Sequence, residues 1–106
     1  MSRYRRANDA GCSYFFTIVT YRRQKFLCDE PVRTALRKAI ITVQEKRPFA
    51  IDAWVLLPDH LHCIWTLPPG DADFSVRWNQ IKRKVSIACG KDYKRVDWIT
   101  IKEKTP

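Results

Sequence analysis

The stretch Ala53-Trp54-Val55-Leu56-Leu57-Pro58-Asp59-His60-Leu61-His62-Cys63-Ile64-Trp65 decides how this chain is read. Two apolar runs flank Pro58-Asp59, a dipeptide with turn chemistry. They read as a hairpin, one strand from Phe49 to Leu57 and the next from His60 to Leu67. Side chains alternate along a strand, so His60 and His62, the two histidines of the chain, share one face. Cys63 follows at once and takes the other face, which counts against it as a ligand.

Upstream, Ser13 to Tyr21 is rich in aromatic and β-branched residues and reads as a strand. Asp29-Glu30-Pro31 opens a helix, with Asp as N-cap and Pro in the first turn. Its apolar stripe is Val32, Ala35, Leu36, Ala39, Ile40 and Val43. Arg33, Arg37 and Lys38 lie on the wet side. Pro48 disfavours helical geometry before it, so the helix stops near Arg47. Downstream, Pro68-Pro69-Gly70-Asp71 ends the hairpin. A second helix starts at Asp73, with Phe74, Trp78, Ile81, Val85 and Ala88 as its stripe and Gly90 as a C-cap.

The order strand, helix, strand, strand, helix predicts an α+β, ferredoxin-like split β-α-β sandwich. Its antiparallel sheet carries helices on one face, with the final strand weak or missing. The open face is where the two histidines serve best. The expected organisation is a basic N-terminal arm over 1–12, one incomplete domain over 13–98 and a tail over 99–106.

Composition narrows the partners. The chain has 106 residues, with 20 basic against 11 acidic and a formal charge of +9. That length is one domain, and that charge favours polyanions. No apolar run is long enough to span a bilayer, and no secretory leader follows the basic start, so the reading is cytoplasmic, with no membrane partner. Cys12, Cys28, Cys63 and Cys89 are widely spaced without a C-x-x-C, which favours reduced thiols over a disulfide framework.

Two neutral imidazoles suit a divalent ion of the first transition row. They are too few for a closed structural zinc site and leave positions open, as a catalytic ion requires. Magnesium or manganese with a further oxygen ligand fits, set against a phosphate. The competing bland reading is a pair of half-buried histidines satisfied by hydrogen bonds. A small metal hydrolase or cupin-like enzyme fits poorly, because no third histidine exists.

Three segments resemble the single-tyrosine HUH transposases, most of all the REP-associated tyrosine transposases of bacteria. They are Tyr14-Phe15-Phe16-Thr17-Ile18-Val19-Thr20-Tyr21-Arg22-Arg23, the run from Ala53 to His62, and Phe74-Ser75-Val76-Arg77-Trp78-Asn79-Gln80-Ile81-Lys82. The resemblance covers about residues 10 to 98. It implies that His60 and His62 hold a divalent ion against a DNA phosphate. It also implies that a tyrosine on a later helix attacks, leaving a 5′-phosphotyrosine and a free 3′ hydroxyl, on single-stranded DNA carrying hairpins. The family's tyrosine motif, and the third ligand on the same helix, do not occur here. The chain therefore reads as a C-terminally truncated copy without its nucleophile, inactive alone. The alternative is a non-catalytic, hairpin-DNA-binding remnant. Tyr93 is the one substitute tyrosine worth testing.

Candidate phosphate contacts are Arg3, Arg5, Arg6, Arg22, Arg23, Lys25, Arg77, Lys82, Arg83 and Lys84. Trp78 and Trp98 could stack on bases, although Trp78 lies on the apolar stripe. A missing last strand would leave a bare sheet edge, which invites pairing into a homodimer.

Overall fold

A computed structural model describes residues 13–89 together with the backbone of residues 98–105. Its elements are β1 (Ser13–Thr20), α1 (Glu30–Lys46), β2 (Ala50–Leu56), β3 (His60–Thr66), α2 (Phe74–Cys89) and β4 (Trp98–Thr105). The sheet order is β2-β3-β1-β4, and every pair is antiparallel. This is the ferredoxin-like arrangement the element order predicts.

One expectation is corrected. The final strand is present: β4 pairs along all of β1, from Thr20 opposite Trp98 to Ser13 opposite Thr105. Residues 99–105 are therefore sheet and not tail, and the β1 edge expected to invite a homodimer is covered. The segment hid in the sequence because Lys102-Glu103-Lys104 mimics a solvated terminus. On an edge strand such charges are ordinary, since they discourage pairing with other chains.

Alternation sorts the two faces. In β1, Tyr14, Phe16, Ile18 and Thr20 are buried, and in β3, Leu61, Cys63 and Trp65 are. These side chains meet the helices. Trp65 stacks on Trp78 of α2 at 4.4 Å, and Phe16 meets the same indole edge-on at 5.5 Å. Trp78 is thus core and no base platform. The α1 stripe is buried as read, apart from a half-buried Ala35. At the end of α2 the stripe passes through Cys89, four residues after Val85, and Ala88 is exposed.

Cys28, Cys63 and Cys89 are free thiols. Burial pushes the Cys63 thiol up to about 12, whereas Cys28 is exposed. The thiolate is the nucleophile. A native sample treated with iodoacetamide at neutral pH should therefore be alkylated at Cys28 while Cys63 stays protected until the chain unfolds. Peptide mapping checks this.

Candidate metal and nucleic-acid site

His60 and His62 lie on the sheet face away from both helices, beside Thr17 and Val19 of β1 in register. Both are half-buried, and their ring centroids are 4.9 Å apart. Short bonds tie the turn before them to the end of β1. The backbone N–H of Thr20 donates to the Asp59 carbonyl at 3.1 Å, and its hydroxyl does so at 3.2 Å. The Leu27 N–H donates to the Pro58 carbonyl at 2.9 Å, and the Leu57 N–H closes the hairpin on the His60 carbonyl at 2.9 Å. The histidines therefore stand on braced backbone.

Each imidazole uses Nδ1 inside the protein. His60 Nδ1 lies 2.8 Å from Asp59 Oδ1, and His62 Nδ1 lies 3.1 Å from Thr17 Oγ1. The Phe15 ring stacks on His62 at 5.7 Å and 13°. With Nδ1 engaged, Nε2 is the nitrogen left for an outside ligand on both rings, the usual arrangement for metal-binding histidine. The donor set therefore fits a divalent ion held at two points. No group of three His, Cys, Asp or Glu side chains that could hold a metal occurs among the described residues.

Asp59 is bonded on both carboxylate oxygens, with Arg23 Nε at 2.9 Å from Oδ2. Its hydrogen bond with His60, then that with Arg23, holds the carboxyl down at about 2. Arg23 stands in a turn, Tyr21–Arg23, where Arg22 and Arg23 have positive φ of 54° and 56°. Left-handed backbone is uncommon outside glycine, and two such residues in succession mark this turn as held by its surroundings.

The predicted cations fall into three places. Arg22, Arg23 and Lys25 are exposed at the end of β1 that carries the histidines. Arg83 and Lys84 are exposed on α2 and line, with Lys46 of α1, a groove between the helices. That groove is on the opposite layer from the histidines. Lys82 of α2 is half-buried, and desolvation lowers its pKa.

Arg77 corrects the sequence reading, because it is buried and faces no solvent. All five of its N–H groups are used. Nε donates to the Arg47 carbonyl at 3.1 Å, and Nη1 donates to Asp71 Oδ1 at 3.1 Å and the Asp73 carbonyl at 2.9 Å. Nη2 donates to the Pro48 carbonyl and to Asp71 Oδ2, both at 2.9 Å. Arg77 joins the α1–β2 connection to the start of α2. Periodicity hides this role, because two of the partners are main-chain carbonyls about 30 residues upstream.

Arg3, Arg5, Arg6 and Tyr93 lie outside the described residues. Of the described tyrosines, Tyr14 is turned into the core and Tyr21 carries the Arg22 guanidinium 5.2 Å over its ring.

The described residues thus form a ferredoxin-like sheet that presents a His-x-His pair beside a basic turn. Residues 9–104 match the family described as "Transposase IS200 like", and the chain belongs to that family. It is 51% identical over 90 residues to the REP-associated tyrosine transposase of Escherichia coli K12, spanning 85% of this chain and 54% of that one. A Haemophilus influenzae protein is 37% identical over 82 residues, spanning 77% of this chain and 46% of its own. The chain thus spans about half the length of these curated relatives. A solved REP-associated tyrosine transposase bound to a REP hairpin superposes with a TM-score of 0.79 at 45% identity, covering all of this chain and 63% of that one. A Deinococcus radiodurans structure, at 14% identity and a TM-score of 0.62, shares the fold alone; it covers 84% of this chain and 76% of its own. No helix among the described residues is long and apolar enough to cross a membrane.

Proposed function

We propose that this chain binds single-stranded or hairpin DNA and presents one phosphate of it to a divalent metal held by His60 and His62. The observation that carries the reading is the pair of imidazoles on the open sheet face, each with Nδ1 bonded inward. Transposases of this family are generally metal-dependent. Magnesium or manganese is the ion proposed, since both accept phosphate and water oxygens and leave coordination positions open. When bound, it supplies polarisation of the P–O bond and neutralises charge on the phosphate.

The chain's own residues do the rest. His60 and His62 ligate, Thr17 and Asp59 aim them, and Phe15 walls one side of His62. Arg22 and Lys25 supply cations beside the site, and Arg3, Arg5 and Arg6 add charge from the N-terminal segment. Arg83, Lys84, Lys46 and Lys82 offer a second cationic surface on the helix layer. The hairpin in the solved relative supports a folded DNA substrate. In the family's mechanism that DNA is cleaved and rejoined through a phosphotyrosine, a step that needs the tyrosine motif this sequence lacks. A second reading, hairpin binding without cutting, draws on the absence of the family's tyrosine motif from this sequence.

A labelled REP-like hairpin oligonucleotide with Mn²⁺ tests both. DNA binding should weaken with salt, and about six phosphate contacts to a single strand give a log–log slope near −4. A slope near zero would contradict DNA as the partner. A covalent adduct that survives denaturing electrophoresis supports cleavage; shifted but uncut DNA supports the second reading.

A further inference from the structure

We propose that Arg23 and Asp59 are positioning residues. The Arg23 guanidinium holds the Asp59 carboxylate, which locks His60 as its Nδ1–H tautomer and aims Nε2 outward to ligate. This rests on the metal-holding function proposed above and assigns Arg23 a role other than phosphate contact.

The geometry is a three-member chain. Arg23 Nε donates to Asp59 Oδ2 at 2.9 Å, and Asp59 Oδ1 meets His60 Nδ1 at 2.8 Å. A carboxylate only accepts, so the hydrogen between Asp59 and the neutral ring sits on Nδ1. Nε2 then keeps its lone pair. Without its partner a carboxylate so near the surface could rotate; with both oxygens taken it has one orientation. The main chain of Asp59 is fixed separately, through its carbonyl and Thr20. Losing the carboxylate therefore spares the turn.

Arg23 reaches across 36 residues of sequence to do this, from left-handed backbone that points it back over the turn. His62 differs in kind. Its Nδ1 partner is the neutral Thr17 hydroxyl, at a longer 3.1 Å. Charge-assisted hydrogen bonds are the stronger class, so His60 depends more on its partner than His62 does.

The full chain, labelled with ¹⁵N and free of metal and DNA, tests this by two-bond ¹H–¹⁵N correlation of the imidazoles. The spectrum is taken at about pH 8, above the ordinary imidazole range. His60 is expected as Nδ1–H in the native chain. Asp59→Ala and Arg23→Gln should move it toward Nε2–H, while the His62 pattern stays put; an unfolded variant would lose both patterns. Mn²⁺ affinity should fall about 10- to 100-fold in Asp59→Ala. Arg23→Gln should weaken Mn²⁺ binding yet leave the salt slope of hairpin binding unchanged. His60 found as Nε2–H in the native chain overturns the proposal. So does a slope reduced by about 0.7 in Arg23→Gln with the tautomer intact, the signature of a lost phosphate contact. A locked tautomer in a chain that binds no Mn²⁺ overturns the proposed function and leaves the tautomer lock standing.

Discussion

Arg77→Ala is expected to cost the fold at least about 3 kcal/mol, measured by urea denaturation. Truncation removes the charged donor from the main-chain carbonyls of Arg47, Pro48 and Asp73 and from both oxygens of the Asp71 carboxylate. A hydrogen bond to a charged group contributes about 1.5–3 kcal/mol, and several are lost together. The space left under Phe49, whose ring lies 5.9 Å from the guanidinium, adds to the loss. Arg77→Lys should recover little, since an ammonium cannot reproduce a planar fork with five donors. A change within about 0.5 kcal/mol is what a solvated surface cation gives, and it would contradict the buried role.

The same contact predicts an acid limb. The Arg77 hydrogen bonds, followed by the Asp73 N–H, hold the Asp71 carboxyl at about 2, below its ordinary 3.8. A carboxylate depressed in the folded state stabilises above its unfolded pKa, and that contribution is lost as pH falls through the folded one. Native stability should therefore decline between about pH 4 and pH 2, and Arg77→Ala should flatten that limb. Asp59 titrates in the same window, so the limb should shrink without vanishing.

The second large effect concerns the histidines. His60→Ala or His62→Ala removes one of the two side chains proposed to hold the ion. Removing an outer partner of such a ligand costs about 10- to 100-fold in affinity. Removing the ligand itself should cost more, about 100-fold or greater, and the double variant should show no specific Mn²⁺ binding. Neither substitution should unfold the chain, because both rings are half-buried on the open face and leave the aromatic core untouched. Far-UV circular dichroism should match the native chain. Affinity unchanged in both single variants would place the ion elsewhere.

Most of the fold was legible because its signals are periodic. Period two put the histidines on one face and Cys63 on the other. Helical spacing picked out Val32 through Val43, and Pro48 marked a boundary that follows α1 by two residues. What stayed hidden was long-range and polar. β4 is a charged edge strand recognised only by its pairing with β1. Arg77 has the residue type of a surface contact and the environment of a core residue, and only tertiary structure separates the two. The candidate site divides the same way. The two proposed ligands were visible as a motif, but Thr17 reaches His62 from β1, 45 residues away, and Arg23 reaches Asp59 from the turn after it, 36 residues away.

Pulsed electron paramagnetic resonance of Mn²⁺ on the full chain, with hairpin DNA present, asks directly which atoms hold the ion. Two nitrogen couplings of imidazole type are predicted, one of them lost in each single histidine variant. A saturated Mn²⁺ signal with oxygen surroundings alone would contradict the account.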